Sequence, residues 1–295
     1  MSSQPPSAPT MSELRIATRR SRLALAQARL VATLLSQHRP GLDVSLVEVT
    51  TTGDSDQTTS VTTLTEVGAF VRAVQQAVLD GDADVAVHSC KDLPVDGPPE
   101  LAVFYLHRED PWDVLCGHEL DSLPHGARVG TGSPRRAAQM KRLRPDVQIL
   151  DIRGNVDTRL EKMRSGEYDA VILAEAGLRR LGREDEASHR FSLVEMVPAP
   201  AQAALAVEVP VGQPVKRLLA EIEDEETRAA VEAERALLRY TRAGCRSALG
   251  ALGTVDGPTI RLTGFVEDGS GARFGEAEGS DPTEAARALQ RLLGL

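Results

Sequence analysis

The chain has 295 residues and a net charge of −9, with 41% hydrophobic and 26% charged residues. That length exceeds one ordinary core, so two or three domains are expected. The acidic balance argues against nucleic acid as the main partner, and no apolar run is long enough to span a bilayer, so no membrane partner is expected either.

Residues 1–11 read as a disordered Ser/Pro tail without the basic start or apolar segment of a secretory signal. Strand and helix then alternate: a strand from Leu14 to Thr18, a helix from Leu23 to Ser36, a strand from Val44 to Thr50, and a helix from Phe70 to Leu79. A strand at 84–88 and another from Leu101 to Leu106 follow. A second lobe starts near Pro111, with a strand at Val129, a helix from Pro134 to Leu143, a strand from Val147 to Leu150, a helix from Val156 to Arg164 and a strand from Ala170 to Leu173. Such alternation predicts parallel or mixed sheets with helices on both faces. Pro198-Ala-Pro200 breaks the pattern and is expected to return the chain to the first lobe. Gln213 to Tyr240 is helical with an interruption in the acidic Glu221–Glu226 run. Strands Ala251–Val255, Thr259–Val266 and Ala272–Ala277, then a helix Pro282–Leu293 capped by Asp281, predict a small α+β domain with a three-stranded antiparallel sheet. The expected domains are 12–107 with 201–222, 108–200, and 223–295.

The two lobes share a frame. Gly81-Asp-Ala-Asp84-Val-Ala-Val87 is echoed by Gly166-Glu-Tyr-Asp169-Ala-Val-Ile172, each after an amphipathic helix. Glycine ends the helix and the aspartate opens a buried strand, so Asp84 and Asp169 read as structural. Asp92 has no such partner, because the equivalent position in the second lobe is Gly177. The strand before it delivers Ser89, Lys91 and Asp92 to the carboxyl edge of a sheet, where open α/β folds bind ligands. The unmatched carboxylate is the better functional candidate.

From Arg128 to Arg183 there are thirteen basic residues against seven acidic ones, which suggests an anionic small molecule as ligand. Gly130-Thr131-Gly-Ser133-Pro-Arg135-Arg136 follows a strand and opens a helix, a natural anion site. Two arginines in a first helical turn oppose the dipole, so a negative group is expected beside them. Arg153 and Arg159 repeat the design after the next strand, and Arg19 with Ser21 after the first. Guanidinium forks at strand ends match carboxylates, whereas Arg142 and Arg164 read as surface arginines with nearby carboxylates. The three cysteines, Cys90, Cys116 and Cys245, form no metal spacing, the six histidines are scattered, and His88 reads as structural, so no metal is expected. An odd, sparse cysteine set fits a reducing cytoplasm. Cys245 lies between Arg242 and Arg246, which favour its thiolate.

Seven ordered motifs together resemble the porphobilinogen deaminase (hydroxymethylbilane synthase) family over essentially the whole chain after residue 12. They are Arg15-Ile-Ala-Thr-Arg19-Arg-Ser21, His88-Ser-Cys-Lys-Asp92-Leu-Pro94, Arg108-Glu-Asp-Pro111, Gly130 to Arg136, Arg153-Gly-Asn-Val-Asp-Thr-Arg159, Ala174-Glu-Ala-Gly-Leu-Arg-Arg180-Leu-Gly and Gly244-Cys245. The resemblance implies an α/β fold of two periplasmic-binding-protein-like lobes plus the C-terminal α+β domain. It implies a dipyrromethane cofactor held by a thioether on Cys245, and Asp92 as catalytic residue. Ser89, Lys91, Thr131, Ser133, Arg135, Arg136 and Arg159 are expected around the cofactor, and Arg19, Ser21, Arg153 and Arg180 around substrate. The implied reaction joins four porphobilinogens head to tail with release of ammonia, then hydrolyses off the linear tetrapyrrole. A cytoplasmic monomer is expected.

Three positions depart from the family pattern. Thr65-Glu-Val-Gly-Ala69 replaces a glycine-rich stretch expected to be a mobile lid, Ala203 stands where glycine follows glutamine, and Ala248 replaces a proline. The two lobes alone would also suit a non-catalytic anion receptor; the third domain and Cys245 are what that alternative leaves unexplained. A member of the family that has lost its activity is the third possibility.

Overall fold

The computed structural model describes residues 12–49, 63–240 and 248–295. The first lobe begins with β1 (Glu13–Arg19), α1 (Arg22–His38), β2 (Asp43–Val49), α2 (Thr63–Leu79), β3 (Val85–Ser89) and β4 (Leu101–Tyr105). The chain then crosses to the second lobe through β5 (Asp113–Cys116). There follow β6 (Arg128–Gly130), α3 (Pro134–Leu143), β7 (Gln148–Leu150), α4 (Val156–Arg164), β8 (Ala170–Ala174), the short α5 (Glu175–Arg179) and β9 (Ala187–Arg190). It returns through β10 (Leu205–Pro210), α6 (Val215–Ile222) and α7 (Glu225–Tyr240), and finishes with β11 (Ala248–Asp256), β12 (Thr259–Asp268), β13 (Gly271–Gly279) and α8 (Pro282–Leu293).

The duplication is visible in the strand order. The first sheet runs β2-β1-β3-β10-β4 and the second β7-β6-β8-β5-β9. In each, the first three strands are parallel, and the fourth, which follows a crossing between lobes, is antiparallel to both its neighbours. Each lobe therefore takes its second-last strand immediately after a crossing, so two connections join the lobes side by side.

The repeated aspartates have repeated jobs. Arg15 donates its backbone N–H to Asp84 at 2.7 Å and its Nη2 to the other carboxylate oxygen at 3.0 Å. Arg128 does the same to Asp169, at 2.7 and 2.9 Å. Each pair ties the loop before one inner strand to the start of the neighbouring strand, which fixes register at the edge opposite the ligand. The structural reading of both aspartates holds.

Apolar alternation packs each layer. In the first lobe Ile16, Val87 and Val207 meet Val31 and Leu35 of α1 and Leu219 of α6. In the second, Leu115, Val129 and Ile172 meet Met140 of α3. In the third domain, β11-β12-β13 form an antiparallel sheet covered by α7 and α8, with Leu237, Leu262 and Leu289 at its centre. Asp281 accepts from the N–H groups of Thr283 and Glu284 at 2.8 and 2.9 Å and so starts α8 where predicted.

Several expectations need correction. Thr65 to Ala69 is not a loop: it lies inside α2, which begins seven residues before the predicted Phe70. The threonine and valine there are compatible with a helix, and one glycine costs only about 1 kcal/mol. The strands β5, β9 and β10 and the short α5 were not foreseen. The acidic interruption is real but narrow, with α6 ending at Ile222 and α7 starting at Glu225. Residues 1–11 lie outside the described residues, and so does Cys245.

Candidate active site

The carboxyl ends of β1, β3, β6, β7 and β8 all open onto one cleft between the lobes, of about 590 Å³. Its walls carry six cations, Arg19, Lys91, Arg136, Arg153, Arg159 and Arg180, and two carboxylates, Asp92 and Asp151. Ser21, Ser89 and Ser133 also line it.

Sequence sets each loop. Ser21 caps α1 by accepting from the Ala24 N–H at 3.2 Å, which leaves Arg19 at the strand end. The Arg19 guanidinium lies over the Phe70 ring at 3.8 Å, and its buried Nε meets no hydrogen-bond partner among the described residues. Ser133 caps α3 through the Arg136 N–H at 3.4 Å, with Pro134 at the first helical position. Asn155 caps α4 through the Thr158 N–H at 2.9 Å. Gly154 precedes it at φ +111°, where a side chain would meet Thr158 at 2.8 Å, so only glycine fits. Arg159 Nε donates to the Gly154 carbonyl at 2.8 Å, which aims its fork at the cleft.

The asymmetry between lobes is sharp. After β3, a single 3₁₀ turn presents Ser89, Lys91 and Asp92 to the cleft. After β8, the matching positions are Ala174, Ala176 and Gly177, which also line the cleft but carry no polar side chain. Ser89 is held by Gln27, whose Nε2 donates to its hydroxyl at 2.8 Å. Lys91 opens into the cleft, yet crowding by protein and the positive charge of Arg136 depress its pKa to about 8, against the pull of Asp92 and Asp113.

Two expected cofactor residues, Arg135 and Thr131, stand back from the cleft, and for Arg135 the reason is a carboxylate that sequence reading missed. Asp113 on β5 is wholly buried. Arg135 Nη1 donates to its Oδ2 at 2.7 Å, and Arg136 Nε and Nη2 donate to its Oδ1 at 2.9 and 2.7 Å. The negative group that the α3 arginines call for is thus supplied from inside the protein. Arg135 spends its second contact on the Val197 carbonyl at 2.8 Å and does not line the cleft, whereas Arg136 reaches both. Burial works against ionising Asp113, but the two guanidiniums outweigh it and hold the carboxyl well below the usual range. Thr131 is likewise buried; its hydroxyl accepts from the Ser133 N–H at 3.2 Å and shapes the loop. A lone Asp in the apolar Val114-Leu-Cys116 context was the only available signal for Asp113, since a buried charge needs a partner.

Arg180 is almost fully covered, donates to Glu109 at 2.7 Å and to the Ala203 carbonyl, and still reaches the cleft wall. Arg153 faces Asp151 at 3.7 Å. Arg142 is more than solvated surface: it donates to the Val194 and Glu195 carbonyls at 2.9 and 3.0 Å and lies 4.7 Å from the Phe274 ring of the third domain. Arg164 pairs with Glu186, as expected of a surface arginine. His88 is buried with Nε2 3.0 Å from Glu208, a structural role. Burial pushes the thiols of Cys90 and Cys116 up to about 12, so neither offers a thiolate near neutrality. Among the described residues no cluster of His, Cys, Asp or Glu could hold a metal ion, and no helix is long and apolar enough to cross a membrane.

A donor set of six cations, one of them with an orphaned buried N–H, fits a ligand carrying several carboxylates, as a dipyrromethane does. Comparison with known proteins agrees. The family model for the porphobilinogen deaminase dipyromethane cofactor binding domain matches residues 14–217, and the model for the porphobilinogen deaminase C-terminal domain matches 228–294. A porphobilinogen deaminase of Roseiflexus castenholzii is 44% identical over 286 residues, 94% of each chain. One from Xanthomonas campestris pv. campestris is 44% identical over 288 residues, covering 96% of this chain and 95% of the relative. One from Acidothermus cellulolyticus is 45% identical over 295 residues, covering 97% and 88%. Lobes, cleft and sequence lead to one conclusion: the chain belongs to the porphobilinogen deaminase family.

Proposed function

We propose that this chain joins four porphobilinogens into a linear tetrapyrrole on a dipyrromethane attached to Cys245, and then releases it by hydrolysis. The observation that carries this reading is the one-sided cleft: a wall of cations shared by both lobes, with Asp92 offered by only one. When bound, the dipyrromethane supplies the electron-rich pyrrole to which substrate rings are joined. The protein's own contribution follows from its charges. Arg19, Arg136, Arg153, Arg159 and Arg180 bind acetate and propionate side chains by charge-assisted hydrogen bonds and so orient each ring. Ser21, Ser89 and Ser133 add neutral donors at the same strand ends. Asp92 accepts hydrogen bonds from pyrrole N–H groups, stabilises positive charge developing on a ring, and holds or returns a proton at its carboxylate. Lys91 beside it contacts acidic side chains. Arg135 and Thr131 act one step back, by holding Arg136 and the Gly130–Ser133 turn in place.

Within this reading the lobes are 12–107 with 201–222 and 108–200, and 223–295 carries the anchor. The intact mass of the purified chain should exceed the sequence mass by a dipyrromethane, with a positive Ehrlich colour reaction. Cys245→Ser should abolish both together with turnover, while Cys90→Ser and Cys116→Ser keep them. Covalent pyrroles persisting on Cys245→Ser would reject the anchor.

A further inference from the structure

The second crossing between lobes contains a buried glutamine whose contacts no sequence pattern gives. Gln202 is 1% exposed and sits between Ala201 and Ala203, whose φ angles are +61° and +69°. Two departures of this kind flanking one residue cost energy for non-glycine side chains, and they persist only where surrounding structure enforces them. Here the backbone is held from both sides: the Gln202 N–H donates to the Ala199 carbonyl at 3.0 Å, and its carbonyl accepts from Arg108 Nε at 2.8 Å.

The amide at the end of that side chain touches both lobes. Its Nε2 donates to the Pro111 carbonyl at 2.7 Å and to Asp113 Oδ1 at 3.0 Å. Its Oε1 accepts from Lys91 Nζ at 3.2 Å. The chemistry fixes the orientation, because only the amide nitrogen can face two oxygens and only the amide oxygen can face an ammonium. Asp113 in turn holds Arg136, a cleft residue. A continuous polar path therefore runs from Lys91 of the first lobe, through Gln202 in the crossing, to the arginine site of the second.

We infer that Gln202 is a positioning residue for the reaction, which holds the Lys91 ammonium beside Asp92 in register with the Asp113–Arg136 site across the hinge. Lys91 faces two attractive carboxylates, Asp92 on its own turn and Asp113 on β5, and two repulsive guanidiniums, Arg135 and Arg136 on α3. The Gln202 carbonyl is the neutral acceptor that completes this surround. Without it the ammonium loses a hydrogen bond while both guanidiniums remain. With a carboxylate in its place the ammonium gains a charge partner.

The inference rests on the proposed function for its catalytic meaning, but its test does not depend on activity. The full chain, with whatever it carries after purification, is labelled with trace acetic anhydride across pH, and Lys91 acetylation is quantified by peptide mass. In the unaltered chain the midpoint should fall near 8, below an ordinary lysine, and the two variants are read against it. Gln202→Met should lower the midpoint by roughly one unit and Gln202→Glu should raise it by a similar amount, since a hydrogen bond to a charged group is worth about one unit or more. Simple loosening of the hinge would admit water and move both variants upward, so a rise in Gln202→Met overturns the assignment. In the pH profile of kcat/KM, the alkaline limb should shift with the label. If the chain carries no pyrrole and makes no product while the label behaves as stated, the proposed function fails and the positioning stands.

Discussion

Replacing Asp113 with asparagine removes the one negative charge between two buried guanidiniums. Arg135 and Arg136 are 4% and 6% exposed, so neither can exchange its lost partner for bulk water. Breaking a buried ion pair from one side typically costs about 3–5 kcal/mol. Asparagine keeps one acceptor oxygen, which places the expectation near the lower bound, about 3 kcal/mol. At about 2–4 °C per kcal/mol for a domain of this order, the melting temperature should fall by roughly 6–12 °C near neutral pH. The pH dependence has a definite sign. The folded carboxyl titrates below the unfolded one, so its stabilisation is complete above about pH 4 and is lost as the pH falls through that value toward the folded one. The gap between the two proteins, read by calorimetry or urea titration, should therefore be flat from pH 7 to 5. It should narrow by about 1 kcal/mol by pH 3. A difference below 2 °C at pH 7, or a gap that widens in acid, would refute the view that Asp113 is the counter-charge of the second lobe.

Asp92→Asn should keep the fold and the covalent pyrroles but lower turnover by roughly 10²–10⁴, as measured by product formation alongside intact mass. Asp84→Asn should instead lower the melting temperature with turnover changed only a few-fold; equal turnover losses at the two positions would undo the distinction between paired and unpaired aspartates. Arg142→Leu should destabilise the junction with the third domain by about 1–2 kcal/mol in urea titration, through two carbonyl contacts and the Phe274 ring, while turnover of the folded fraction stays unchanged. Ala203→Gly should shift stability by no more than about 1 kcal/mol, whereas Ala203→Thr, β-branched at φ +69°, should cost at least about 1–2 kcal/mol.

What could be read from sequence was whatever is encoded locally. Caps such as Ser133 and Asp281 and the repeated Gly-x-x-Asp frame have short-range causes, and they placed α3, α8 and both inner strands within two residues. Asp92 was identified by comparing one lobe with the other, which needs no coordinates. The strands β5 and β10 escaped because each lies beside residues distant along the chain, and β5, with its buried Asp113, breaks the apolar pattern of a central strand. Gln202 stood in the family pattern, but its contacts escaped for the same reason: they depend on Lys91, 111 positions away, and on Asp113, 89 away. The first turns of α2 were misread as a loop because the family pattern has a glycine-rich stretch there, whereas this chain has a single glycine, Gly68, between Thr65 and Ala69.

The arginine count of the second lobe shows why charge must be located before it is interpreted. Thirteen basic residues between Arg128 and Arg183 suggested an anionic small molecule as ligand. In the fold five of them, all away from the cleft, are answered by carboxylates: Arg128 by Asp169, Arg144 by Asp146, Arg183 by Asp157 and Glu186, Arg164 by Glu186, and Arg179 by Asp110 and Glu175. The Arg128 pair sets strand register, and the others tie helices and turns together. The arginines that reach the cleft are Arg136, Arg153, Arg159 and Arg180, and Asp113 shares Arg136. A carboxylate-rich chain growing in the cleft therefore meets a small number of aimed forks, not a diffuse field. Aimed forks can discriminate one ring position from the next, because each bidentate contact has a direction, whereas a diffuse field would hold every intermediate equally well. The first lobe supplies the opposite kind of asymmetry, one carboxylate and one lysine where the second lobe has Gly177 and Ala176. Duplication gave both lobes the same frame, and the proposed function places the chemistry at the positions where the two copies no longer match.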